Sequence, residues 1–135
     1  MNNVLDFDVI CCPVGTGGTL AGIAAGLSPG RRALGFAALK GGQFLDDDVA
    51  ELQRRQCGAV GTNWSIDHDF HFGGFARATP ELHDFIDDFE RRHSLRLDWI
   101  YVAKMMYGLF SLVEQGVLRP ETVVVAVITG PADQK

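Results

Sequence analysis

Cysteine is scarce in this chain of 135 residues, with thiols only at Cys11, Cys12 and Cys57. An odd count without a C-x-x-C spacing excludes a disulfide scaffold and the usual thiolate metal or redox site. Adjacent cysteines in an apolar strand do not bridge each other, so a reducing cytoplasm is the expected setting. No apolar run is long enough to span a membrane. Residues 1–6, Met1-Asn2-Asn3-Val4-Leu5-Asp6, have neither the basic region nor the apolar stretch of a signal peptide. Basic residues come as short pairs, Arg31-Arg32, Arg54-Arg55 and Arg91-Arg92, without interleaved aromatics, and the net charge is −5. That balance speaks against nucleic acid as a partner and leaves the pairs as solvated helix ends. Internal repeats and low-complexity segments are also absent.

What is present fits one globular α/β domain over residues 1–135, with 47% hydrophobic residues, 21% charged residues and 16 glycines. Residues 7–14 read as a buried strand and 18–27 as a small-residue helix ended by Ser28-Pro29-Gly30. Residues 33–39 form the next strand, and Asp46-Asp47-Asp48 opens a helix through about Gln56. Residues 58–78 read as a long loop with one short strand. Thr79-Pro80-Glu81 caps a helix whose Leu82, Phe85, Ile86 and Phe89 make one apolar stripe. A further helix from about Ile100 carries Met105, Leu109, Leu112 and Val113 inward and stops at Gly116. Residues 122–128 are a β-branched run that reads as a final central strand. The alternation predicts a parallel sheet with helices on both faces.

The run from Cys11 to Gly22 breaks from an apolar strand into Gly15-Thr16-Gly17-Gly18-Thr19 and resumes with helical spacing. Glycines allow a tight turn and close approach of an anion, and the helix N-terminus attracts negative charge, so a phosphorylated ligand is expected. Thr16 and Thr19 add hydroxyl donors. The spacing is neither a dinucleotide G-x-G-x-x-G nor a Walker A loop, and strand-to-helix geometry alone also accounts for glycines here.

Other chemistry-bearing residues have ordinary readings. His68, Asp69 and His71 suggest metal ligands, but no third ligand of recognisable spacing accompanies them, and histidines satisfied by backbone are commoner. Ser65 and Cys57 lack a nucleophile context. Tyr101 and Lys104 stand at i and i+3 on the opening turn of a helix, where the carboxyl edge of a parallel sheet binds ligands. Their bland reading is Tyr101 and Tyr107 as core-edge aromatics and Lys104 as a surface cation.

Together these segments resemble the fold-type II pyridoxal-phosphate enzymes, within them the 1-aminocyclopropane-1-carboxylate deaminase and D-cysteine desulfhydrase family. Gly15-Thr16-Gly17-Gly18-Thr19 is similar to the family's loop for the cofactor phosphate, and His71-Phe72-Gly73-Gly74-Phe75-Ala76 to a loop bearing a substrate-side aromatic. Leu97 to Lys104 is similar to its leucine-aspartate-proline-valine-tyrosine-x-glycine-lysine segment. Val127-Ile128-Thr129-Gly130 is similar to its last strand. The resemblance runs over nearly the whole chain and implies part of the large domain of a tryptophan synthase β-like fold.

It implies the C-terminal half of an enzyme roughly twice this long. Pyridoxal 5′-phosphate would be held by Gly15, Thr16, Gly17, Gly18, Thr19 and Thr129, with Tyr101 beside a small amino-acid substrate. The lysine that would form the Schiff base lies outside the matched segments. The chain's lysines are Lys40, Lys104 and Lys135, and Lys104 matches a different lysine of the family. Val102 replaces a glutamate or threonine, Ala103 a glycine, Phe75 a tyrosine and Pro131 the second glycine of the terminal turn. The resemblance therefore implies a deaminase or desulfhydrase portion that is inactive alone. The alternatives are a non-catalytic module that binds a phosphorylated ligand or pairs, with itself or with a separate N-terminal half, and a remnant without function.

Overall fold

The computed structural model describes residues 8–15, 17–118 and 121–128. Strands β1 (Val9–Val14), β2 (Arg32–Ala37), β3 (Trp64–Asp67) and β4 (Val124–Ala126) form a parallel sheet in the order β3-β2-β1-β4. Four helices cover it: α1 (Gly18–Ala25), α2 (Phe44–Cys57), α3 (Pro80–His93) and α4 (Val102–Glu114). Alternate strand residues feed two cores, as the two-residue period of a strand requires. Cys11 and Phe36 face α3 and α4, whereas Cys12, Val14 and Ala37 face α1 and α2. The parallel sheet with helices on both faces is therefore as the alternation predicts.

Local chemistry explains the helix boundaries. The Thr79 hydroxyl accepts the Leu82 N–H at 3.2 Å, with Pro80 in the first turn, so α3 starts where its cap stands. Leu82, Ile86 and Phe89 are buried below it and Phe85 is half-buried. Helix α1 ends at Ala25, two residues before the expected Leu27, because the Gly26 N–H closes onto the Gly22 and Ile23 carbonyls. Along α4, Gly108 lets the helix lie close to the sheet, since a Cβ there would meet the Phe36 and Phe70 rings at 2.7 to 2.9 Å.

Four readings are corrected. Residues 122–128 do not form a central strand: among the described residues β4 is Val124–Ala126, with Val123 and Val127 hydrogen-bonded at its ends, and it lies at the sheet edge beside β1. Their β-branched character reflects packing of Val124 and Ala126 under the α4 face, not a position between two strands. Val113 is 48% exposed, not part of the inward stripe, because one residue past buried Leu112 turns the side chain about 100° around the helix. Arg31-Arg32 lies at the start of β2, not at a helix end, and Arg32 donates to the Thr62 carbonyl at 3.4 Å. Arg54-Arg55 and Arg91-Arg92 do close helices, paired with Glu51 and Asp88. The fourth correction, Lys104, belongs to the site.

Candidate functional site

The carboxyl ends of β1 and β2 open onto the glycine turn, the 71–77 loop and the start of α4. Gly17 adopts a left-handed φ of 91° and caps α1, its carbonyl accepting the Ala21 N–H at 3.0 Å. A Cβ there would approach the Val49 Cγ2 to 2.8 Å, so both the backbone angle and the space demand glycine. Among the described residues no side chain caps this helix, and Gly18 and Thr19 are exposed, which leaves the first-turn N–H groups facing outward. The turn therefore suits a phosphate held by backbone donors. Of the expected cofactor contacts, Gly15, Gly17, Gly18 and Thr19 lie together in this turn, while Thr16 and Thr129 lie outside the described residues. Beside Gly18, a recess of about 430 Å³ is bounded by Asp48, Glu51, Leu52 and Arg55. Arg55 and Arg54 hold the Glu51 carboxyl below its ordinary pKa through their hydrogen bonds.

Tyr101 joins this turn. A Cβ on Gly15 would stand 3.1 to 3.4 Å from the Tyr101 ring and hydroxyl, so glycine admits the phenol beside the turn. Asp98 sets that placement, because its carboxylate accepts the N–H groups of Ile100, Tyr101 and Val102 at 2.9 to 3.0 Å. This cap opens α4 and was not singled out from the sequence; an aspartate four residues ahead of the first helical residue is the signal that points to it. The Tyr101 hydroxyl has no hydrogen-bond partner among the described residues, which leaves it available to a ligand. Phe75, 52% exposed, tilts against Tyr101 with ring centroids 5.8 Å apart.

Lys104 is not a surface cation. It is 1% exposed, and its ammonium donates to the carbonyls of Gly74 at 2.9 Å and Ala38 at 3.2 Å. Desolvation lowers its pKa, opposed by the nearby Asp98 charge. The helical position i+3 from Tyr101 was legible; its inward face was not, because α4 is buried almost all round at its start. Tyr107 is the core-edge aromatic expected, edge-on to Phe72 and Phe85, and its hydroxyl bond to Glu81 pushes its pKa to about 12.

The remaining candidates have local tasks. His68 Nε2 meets Asp46 Oδ1 at 2.7 Å, tying the end of β3 to the start of α2, and His71 Nδ1 accepts the Gly73 N–H at 3.1 Å. Among the described residues, no group of three or more histidine, cysteine or acidic side chains is gathered for a metal. Cys11 and Cys12 are buried and Cys57 is exposed, all three free. No described helix is long and apolar enough to cross a membrane.

No protein-family model matches the chain. A protein of Pyrococcus furiosus named "Putative 1-aminocyclopropane-1-carboxylate deaminase" is 33% identical over 121 residues, which are 84% of this chain and 37% of that protein. A namesake in Pyrococcus horikoshii is 30% identical over 118 residues, 83% of this chain and 36% of its own length. A crystal structure titled as that of the ACC deaminase homologue superposes with a TM-score of 0.79 at 30% identity, covering 92% of this chain and 39% of that one. The chain thus spans well under half the length of these relatives.

Proposed function

Because the chain belongs, over the segment it spans, to the family of 1-aminocyclopropane-1-carboxylate deaminase homologues, we propose that it forms the phosphate-holding part of a pyridoxal-phosphate-dependent deaminase or desulfhydrase. Its substrate class would be a small amino acid of the 1-aminocyclopropane-1-carboxylate or D-cysteine type. The observation that carries this reading is the uncapped α1 start, with glycine required at position 17 and the Tyr101 phenol beside Gly15.

Bound there, the cofactor would supply an electron sink for charge developing at the substrate α-carbon. The chain's own residues do simpler work. Backbone donors of Gly18 and Thr19 bind the phosphate, and α1 adds its dipole. Tyr101 presents a phenol at the mouth of the turn, where it can hold or pass a proton at Oη. Phe75 shields one side of that phenol.

The chain on its own binds but does not turn over, in this reading, because no lysine among the described residues is placed to anchor the cofactor. Lys104 is committed to two carbonyls, Lys40 is exposed on the 40–42 turn, and Lys135 is outside the described residues. Catalysis then requires the remaining part of the family's polypeptide, joined or separate.

Titration of the purified chain with pyridoxal phosphate, followed by absorbance and by borohydride reduction with mass mapping, tests both parts. Saturable binding without a single modified lysine is the expected result. Absence of binding overturns the phosphate site. A stoichiometric adduct at Lys40, or steady ammonia or sulfide release from an amino acid, overturns the inactivity of the chain alone.

A further inference from the structure

Lys104 poses a question that the phosphate site does not answer. An ammonium buried to 1% exposure is costly unless it is well bonded, and a methionine would fill the same space without that cost. Its hydrogen-bond partners are two backbone carbonyls, one from the exit of β2 and one from the 71–77 loop. The cation therefore joins two segments that no strand pairing connects.

The loop it reaches is held in an expensive shape. Phe72 and Ala76, neither of them glycine, both have φ of 55°, and they flank Gly73 at 98°, Gly74 at 130° and Phe75. Non-glycine residues at such angles persist only where surrounding contacts over-determine them. Within the loop, His71 Nδ1 accepts the Gly73 N–H, the His71 carbonyl accepts the Gly74 N–H at 3.3 Å and the Gly74 carbonyl accepts the Arg77 N–H at 3.1 Å; the Lys104 ammonium, also on the Gly74 carbonyl, is the bond that ties the loop to α4. The next residue is Phe75, whose ring rests against Tyr101, and Tyr101 stands over Gly15.

We propose that Lys104 is a positioning residue for the ligand site: by clasping the Ala38 and Gly74 carbonyls it fixes the loop that sets Phe75 against Tyr101 beside the glycine turn. Lys104 touches no ligand in this scheme. It acts through Phe75, one residue beyond its bond. The affinity consequence rests on the function proposed above; the loop consequence does not.

Lys104→Met removes the ammonium and keeps an apolar stem of similar length. With pyridoxal phosphate as the probe, it should weaken binding about tenfold, within the range of coupled neighbours. Phe75→Ala should weaken binding comparably, and the double variant should be no weaker than Phe75→Ala alone, because both changes interrupt one chain of contacts. Full additivity, or unaltered affinity in Lys104→Met, overturns the proposal. A second readout needs no ligand: trypsin should cut after Arg77 in the opened loop about tenfold faster in Lys104→Met than in the parent chain. Equal cleavage rates overturn the clasp even if the parent chain binds no pyridoxal phosphate, an outcome that would by itself overturn only the phosphate site. Should Lys104→Met not fold, Lys104→Arg, which keeps the donors, takes its place, and parent-like cleavage together with parent-like affinity is expected.

Discussion

The two faces of the sheet are built on opposite principles. Against α1 and α2 the fully buried strand side chains are small or compact, Cys12, Val14, Ala33 and Ala37, met by Leu20, Ala21, Ala24 and Val49, while the larger Ile10, Trp64 and Ile66 are only partly buried on this face. Against α3 and α4 it presents Cys11 and Phe36, met by methionines and by a chain of aromatics from Phe70 and Phe72 through Tyr107 to Phe85, Phe89 and Phe110. The small face lets α1 approach closely, which fixes its N-terminus at the mouth of the glycine turn. The large face fills volume and still leaves Phe110 46% exposed above an apolar groove of about 780 Å³. Close approach seats the glycine turn and bulk serves stability, while α4 brings Tyr101 to that turn from the bulky face.

The sharpest way to break that contrast is Phe36→Ala. Phe36 is 1% exposed, the largest fully buried side chain, and lies on the bulky face against Phe70 and Gly108. Its removal should cost about 3–5 kcal/mol in chemical denaturation, the range for burying an aromatic and leaving its cavity. Phosphate binding by the residual folded protein should persist, since the glycine turn packs on the other face.

The adjacent cysteines probe both faces at once. Burial pushes the Cys11 thiol up to about 12, with the Cys12 charge adding to it, and pushes Cys12 up to about 11. Both folded values lie above the ordinary 9.0, so the neutral thiols contribute stability that is complete below pH 9 and falls as pH rises toward each folded value. The loss should be about 1.4 kcal/mol per thiol for each pH unit above 9. In denaturation curves from pH 8 to 11, Cys11→Ala and Cys12→Ala should each remove about half of that slope. An unchanged slope in either variant would show that its thiol is not held neutral in the fold.

Gly35→Ala attacks the close-packed face. A Cβ at this position would strike Val14 Cγ2 and come within 2.9 Å of Leu20 Cδ2, on opposite sides of the β1–α1 junction. Overpacking of this kind costs about 1–3 kcal/mol. Unlike Phe36→Ala, it should also weaken pyridoxal phosphate, because displacement of Val14 and Leu20 moves both ends of the glycine turn. If Gly35→Ala lowers stability without touching affinity, the small face is structural only.

Much of this arrangement was legible in the chain. Periodicity places Leu82, Ile86 and Phe89 in the core, and Thr79-Pro80 marks a cap by its own chemistry. The glycine turn after an apolar run points to the candidate site, since the left-handed backbone at Gly17 is one that glycine announces. What stayed hidden depends on partners distant in sequence. Lys104 reads as exposed because lysine almost always is, and its carbonyl partners lie 66 and 30 residues away. The edge position of β4 was equally hidden, because a β-branched run reports burial but not which strands flank it. Asp98 ahead of the helix opening was a readable cap signal, but that one carboxylate takes three N–H groups appears only in the fold.

Val113→Ser gives the finest test of the same contrast. Val113 fits the helical spacing of the α4 stripe, yet it stands 48% exposed at the rim of the groove, while Leu112 next to it is 9% exposed. Leu112→Ala should cost about 2–5 kcal/mol as a core truncation. Val113→Ser should stay within about 0.5 kcal/mol of the parent, as surface substitutions do. A larger loss at Val113 would mean that the groove is covered in solution. Repeating the measurement at tenfold lower concentration would then show whether a second copy supplies that cover, because only association makes the loss depend on concentration.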